Sequence, residues 1–192
     1  MELILASASP RRLALLEQIG QVPSQVLAAD LDETPHPREL PRRYAIRLAD
    51  EKAVAVRDAH QLTKPGQVIL AADTVVALGR RILPKAEDAQ TVRECLALLS
   101  GRAHQVHCAV TLLTGAGQMT RRCVSSRVSV KRLTKADIEG YVDGGEGLGK
   151  AGGYAIQGHA AAFIRQIAGS YSGIVGLPLF EVSQMLHGLA VK

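Results

Sequence analysis

The sequence predicts a mixed α/β protein built as one elongated domain around a single sheet. Three observations carry that prediction. Apolar runs of strand length, such as "ELILA", "QVILAAD" and the alternating Val106, Cys108, Val110 and Leu112, are interleaved with stretches whose apolar residues recur at helical spacing. Hydrophobic residues make up 47% of the chain and are spread evenly along its 192 residues, enough for one substantial core. No repeat, low-complexity tract or linker divides residues 1–192.

Each element has a local reason. Glu2–Ala6 reads as a buried strand feeding a helix that starts at Ser9-Pro10. Serine caps there, and proline fits the first helical position because its missing N–H would be unpaired anyway. Leu13, Leu16 and Ile19 follow at helical spacing, and Gly20 supplies the stop. "QVLAADLDETPHP" reads as a strand and then an acidic, proline-bearing loop. From Leu40 to about His60 a helix is expected, with Ala45, Leu48, Ala49, Lys52 and Ala53 along one side. "QVILAAD" is a strand ending at Asp73, and "VVALGRRIL" a hairpin turning near Gly79. Glu87–Ser100 carries Ala89, Val92, Leu96 and Leu99 as a helix closed by Gly101. Val106–Leu112 is a half-buried strand, and Val124–Val130 return as its partner after the "TGAGQ" turn. Thr134 with Asp137 forms a capping box for a short helix. "YAIQG" and "AAFIRQI" are further strands, and Pro178 opens a last helix with Leu179, Val182 and Met185 on one face.

Composition narrows the function. A formal charge of +5 and a pI near 9.3 point to an anionic partner. Aromatics are only 3% and tryptophan is absent, which argues against single-strand nucleic acid, where bases need stacking platforms. Small phosphorylated ligands fit better. Cys95, Cys108 and Cys123 are odd in number with no CxxC, so neither a disulfide framework nor a zinc site is expected, and the reducing cytosol is the expected compartment. No apolar run reaches the length of a membrane span, and no secretory signal pattern opens the chain.

Three stretches carry candidate chemistry. Arg11 and Arg12 fall in the first turn of the first helix, where the dipole disfavours cations by about 0.3–1 kcal/mol each. With the small loop Ala6-Ser7-Ala8-Ser9 they make an anion site, the competing reading being two solvated surface arginines. Asp73-Thr74 stands where the run "VILAA" stops, a place suited to a carboxylate over a ligand crevice. The acidic loop Asp30, Asp32 and Glu33 offers hard oxygen ligands for Mg²⁺ or Mn²⁺. "GGEGLGKAGG" has the G-x4-G-K spacing of a P-loop, but Ala151 lacks the hydroxyl and a strand follows instead of a helix. It reads as a flexible glycine-rich loop from which Lys150 approaches a ligand. His104 and His107 lie on opposite faces of one strand and are not a metal pair.

Together, "SASPRR", "LADEKA", "AADTVV", "LSGRAHQVH", "KAGGYAIQG" and "GIVGLPLFEV" resemble the Maf family, in the family's order and over nearly the whole chain. The resemblance implies a fold similar to the inosine triphosphatases (Maf/Ham), with a central substrate cleft. It also implies a cytoplasmic, metal-dependent nucleoside triphosphate pyrophosphatase that uses Mg²⁺ or Mn²⁺, and an association with septum formation. By the same resemblance Asp73 matches the catalytic position, Ser7, Arg11 and Arg12 the phosphate-binding loop, and Glu33, Lys52 and Lys85 polar positions of the cleft. Glu33 and Asp73 are then the metal ligands. The tail "YAIQG" is similar to the branch acting on dTTP and UTP, in which Arg11, Thr74 and Gln157 correspond to positions tied to substrate choice. A homodimer stays open, and no membrane or nucleic-acid partner is expected. A pyrophosphatase for another nucleotide, such as 7-methyl-GTP, and a nucleotide-regulated nucleic-acid or septum interaction protein are the rival readings. Three residues depart from the family pattern: Ala71 for glycine, Ala86 for proline after Lys85, with a looser loop expected there, and Gly149 for aspartate before Lys150.

Overall fold

The computed structural model describes residues 1–190. Strand β1 (Glu2–Ala6) leads to α1 (Pro10–Gln18), β2 (Gln25–Leu27), α2 (Pro41–Ala59), β3 (Gln67–Leu78) and β4 (Arg81–Ile82). Helix α3 (Ala89–Leu99) precedes the hairpin of β5 (Ala103–Thr114) and β6 (Met119–Val130). After α4 (Lys135–Asp143) come a 3-10 turn at His159–Phe163, β7 (Ile164–Ala168), α5 (Tyr171–Val175) and α6 (Leu179–Ala190). The strands form one sheet in the order β2-β1-β3-β5-β6-β7, with β4 attached to the far end of β3. β1 is parallel to β2 and β3, and every other pairing is antiparallel.

Both faces of the sheet are covered. On one, Leu3, Leu5, Leu70 and Leu112 pack against Leu16 of α1 and Val182 and Leu186 of α6. On the other, Ile4, Ile69 and Leu113 meet Ala53 and Val56 of α2, while Val75 and Ala109 meet Tyr44, Ala45, Leu48 and Ala49. The small residues Ala45, Ala49 and Ala53 are fully buried and let α2 approach the sheet closely. Further along, Val106, Val128 and Val130 pack with Val92, Leu96 and Leu99 of α3 and with Tyr141, Tyr154 and Phe163. Among the described residues no helix is long and apolar enough to cross a membrane.

Local signals act largely as expected. Pro10 and Pro41 occupy first-turn positions, the Thr134–Asp137 capping box closes with both of its bonds, and Gly20 takes φ 70° after α1. Four readings are corrected. Ser9 does not cap with its side chain; instead its own amide donates to Ser7 Oγ at 3.1 Å. β3 does not end at Asp73 but runs 12 residues, from Gln67 to Leu78. A polar residue broke the hydrophobic run without breaking the backbone, since Asp73 still pairs with Ala109 of β5. "YAIQG" is not a strand: Gly152 and Gly153 take φ 66° and 69°, and Tyr154 and Ile156 turn into the core. "AAFIRQI" is strand only from Ile164, because His159–Phe163 coil into the 3-10 turn. Helix α5, capped by Ser170 Oγ accepting from the Gly173 amide, is too short to leave a periodic signal.

The strand that ends near Asp73 is its neighbour. β1 stops at Ala6, opposite Ala71, and β4 joins only at Ala77 and Leu78. The Leu83 amide donates to the Val76 carbonyl at 2.9 Å, so on this side β3 lacks a strand partner over residues 72–75, among the described residues. That open edge positions the site.

Candidate active site

Alternation along β3 sends Asp73 and Thr74 to opposite faces of the sheet at the open edge. On the α2 face, Lys52 Nζ donates to Asp73 Oδ1 at 2.6 Å and lies 2.8 Å from Glu33 Oε1. Lys52 stands on the buried stripe of α2 and Asp73 is only 6% exposed. Within the described residues no protein hydrogen bond engages Asp73 Oδ2. Glu33 comes from the acidic loop, which α2 holds in place. The Tyr44 hydroxyl donates to the Glu33 carbonyl at 2.5 Å, and Arg47 clasps Glu39 through Nε at 2.9 Å and Nη2 at 2.8 Å. Hydrogen bonding from Arg47 holds the Glu39 carboxyl down at about 2. Burial first, then the charges of Asp73 and Glu33, push the Tyr44 hydroxyl up to about 12, so it remains a donor. Asp32 takes no part, because its carboxylate accepts the Thr34 amide at 2.9 Å in a local turn.

On the other face the two arginines have separate tasks. Arg12 donates through Nε to the Gly176 carbonyl at 2.9 Å, through Nη1 to Ser7 Oγ at 3.2 Å and through Nη2 to Thr74 Oγ1 at 3.3 Å. It therefore joins the first loop, β3 and the end of α5. Arg11 has a buried Nε with no hydrogen-bond partner. Burial, then the neighbouring Arg12 charge, lowers its pKa. Below Thr74, 3.5 Å from its hydroxyl, lies Cys108, whose thiol burial pushes up to about 12; it is no nucleophile. Lys85 is exposed on the loop after β4.

The structure thus brings Glu33, Lys52 and Asp73 into one ion-pair centre and Ser7, Arg12 and Thr74 into one hydrogen-bonded set. Gln157 stands apart. It is exposed and lines an open depression of about 360 Å³ with Ile156, Ile164, Arg165 and Tyr171. Tyr171 opens α5, and Gly176, just past its end, meets Arg12. The five residues of α5 thus link the depression to the segment that holds Arg12. Sequence reasoning missed Tyr44, Arg47 and Gly176. The Arg12–Gly176 bond spans 164 positions and left no local signal. Ala71 sits in regular strand, where no glycine is needed. The loop after Lys85 is tied instead of loosened, because the Ala86 amide, which proline would lack, donates to the Lys150 carbonyl at 3.0 Å.

A metal would find a matching donor set. Glu33 and Asp73 already converge on one cationic position, and hard cations of the Mg²⁺ type take one or two carboxylates together with substrate phosphates and water. No group of three or more His, Cys, Asp or Glu gathers among the described residues.

A mixed sheet opening beside a carboxylate–lysine centre, with arginines across the edge, defines an α/β protein with a charged cleft at one strand edge. Its fold is similar to that of a HAM1 protein from Coxiella burnetii, over 98% of this chain and 99% of that one, at 17% identity and a TM-score of 0.50. The model of the Maf-like protein family matches residues 2–189, and the chain belongs to the Maf family. It is 58% identical over 190 residues to a Rhodospirillum rubrum protein named dTTP/UTP pyrophosphatase, covering 99% of this chain and 89% of that protein. A Gluconobacter oxydans protein of the same name is 58% identical over 194 residues, covering 99% and 88%.

The unequal arginines give a stability test. Arg12→Ala removes three hydrogen bonds between separate segments, so unfolding in urea should show a loss of about 1.5–3 kcal/mol, where relief of the helix dipole alone would have stabilised the chain. Arg11→Met, which removes an unpartnered buried nitrogen, should leave stability unchanged or raised.

Proposed function

We propose that this protein hydrolyses UTP and dTTP between the α- and β-phosphates, giving the nucleoside monophosphate and pyrophosphate. The observation that carries the reading is the Glu33–Lys52–Asp73 centre on an open strand edge, with Arg11 and Arg12 across that edge. The dTTP/UTP pyrophosphatase relatives supply the substrate class. Residues 1–192 act as one nucleotide pyrophosphatase domain, and a cytoplasmic location belongs to the same reading.

In this reading the triphosphate lies across the open edge of β3. Lys52 holds Asp73 through Oδ1 and so aims Oδ2 outward, where it accepts a proton from the attacking water. Water adds to the α-phosphorus, the bond to the bridging oxygen breaks, and pyrophosphate leaves with that electron pair. Arg11 and Lys85 stabilise the growing charge on the leaving group, while Arg12, fastened to Ser7, Thr74 and Gly176, fixes the helix turn that presents Arg11. Glu33 and Asp73 would hold a divalent cation, which when bound neutralises phosphate charge and lowers the pKa of a water. Gln157 reads the base: its amide offers one donor and one acceptor side by side, matching O4 and N3–H of uracil and thymine.

Chromatography of a UTP digest with Mg²⁺ or Mn²⁺ should show UMP and pyrophosphate, and a chelator should stop the reaction. UDP and orthophosphate instead would sink the proposal. Asp73→Asn should lower kcat by about 10²–10⁴-fold in a protein that still folds, because Lys52 keeps Glu33 as a partner. Gln157→Glu replaces the donor to O4 with an acceptor. The ratio of kcat/KM for UTP over CTP should then fall by about 5–150-fold, and an unchanged ratio would remove Gln157 from base reading.

A further inference from the structure

The glycine-rich segment before "YAIQG" looks flexible in sequence, yet its glycines mark close packing. A Cβ on Gly147 would lie 2.5 Å from the Gly153 carbonyl oxygen and 2.7 Å from Val92 Cγ1. One on Gly152 would lie 2.7 Å from Val76 Cγ1, and one on Gly153 would lie 3.1 Å from Cys95 Cβ. Gly145, Gly149, Gly152 and Gly153 also take positive φ, which side chains resist. The segment is zipped to the Lys85 loop as well. The Ala86 amide donates to Lys150 O at 3.0 Å, the Gly149 amide to Ala86 O at 2.7 Å, and the Gly152 amide to Pro84 O at 2.9 Å. Ala151 bridges Lys85 directly. A rigid loop therefore fixes the backbone of Lys150 beside that of Lys85.

Among the described residues the ammonium of Lys150 donates only to the Leu148 carbonyl, at 3.1 Å, leaving donors to spare. Arg11 and Lys85 are its cationic neighbours, and Glu146 is the opposing charge nearby. Glu146 is itself turned to the His159 amide at 2.8 Å. None of Arg11, Lys85 and Lys150 is in an ion pair among the described residues. Burial, then Arg11 and Lys85, lowers the pKa of Lys150, as expected for a cation pressed against like charges. Such a cluster is costly until an anion with several charges enters it.

We infer that Lys150 is a further phosphate-binding residue, which the glycine loop presents with Arg11 and Lys85 as a preformed three-cation cradle for the leaving pyrophosphate. This rests on reading the site as one for a nucleoside triphosphate, and it explains the packed glycines. Pre-positioned charge costs no reorganisation when the pyrophosphate departs. The cradle recognises the phosphate chain and not the base, so inorganic tripolyphosphate is itself a ligand for it.

The test compares the full-length wild type with Lys150→Gln and Lys150→Met, the second neutral variant covering any disturbance of the loop by the amide. Both should raise KM for UTP and weaken competitive inhibition by tripolyphosphate by about 10–100-fold. Inhibition by UMP should stay within about twofold, melting temperatures should hold, and Lys150→Arg should recover most of the loss. Unchanged tripolyphosphate inhibition in both neutral variants overturns the inference. So does an equal loss for UMP, which would mark a disturbed loop. A wild type that releases no UMP from UTP would sink the proposed function instead, while the shift in melting temperature caused by tripolyphosphate would still decide the role of Lys150.

Discussion

The site depends on a mismatch in strand length. β3 runs for 12 residues, while its parallel neighbour β1 runs for 5 and stops opposite Ala71. A strand inside a sheet normally spends its backbone donors and acceptors on both neighbours. Over residues 72–75 this one spends them on β5 alone, among the described residues. The gap leaves one edge of β3 without a strand neighbour in the middle of the sheet, among the described residues. It also makes two adjacent residues on opposite faces, Asp73 and Thr74, reachable from one place. Without the gap, the α2 face and the arginine face would be separate surfaces.

Electrostatic balance sets the next constraint. Lys52 sits on an otherwise apolar stripe of α2 between Ala49 and Ala53, and such burial is unfavourable unless the charge is paired. Asp73 and Glu33 supply that pairing, and Lys52 in turn lets two carboxylates stand close together. Each member is thus both a structural requirement of the others and a chemical group. The acidic loop is a weak element on its own, with no regular structure between β2 and α2. Tyr44 and Arg47 hold it against α2, which places Glu33 over the buried lysine.

Across the edge the charge balance reverses. Arg12 is satisfied by the protein and functions as a fastener, whereas Arg11 has a buried nitrogen with no partner. A net charge of +5 is therefore more than a bulk property of the surface, because part of it is concentrated where loops from distant parts of the chain meet. The asymmetry within "PRR" also answers why two cations crowd the positive end of a helix dipole. Arg12 is held by the Gly176 carbonyl and the hydroxyls of Ser7 and Thr74, and Arg11 is the one the proposed function assigns to an anion.

What the sequence by itself determined was whatever short-range chemistry encodes. Periodicity located α2 and the β5–β6 hairpin, the Thr134–Asp137 pair located the start of α4, and the motif set assigned the family. Hydropathy misjudged Asp73 because it records burial of side chains, not continuity of the backbone ladder that carries them. It misjudged the glycine segment because a glycine needed for close approach and one that confers flexibility look the same in sequence. Only the tertiary structure decided which arginine is a fastener, that Lys52 joins Glu33 to Asp73, and that Lys150 stands beside Lys85. Those facts rest on contacts between segments far apart in the chain, and such contacts leave no periodicity, cap or turn residue in the sequence by which they could be read.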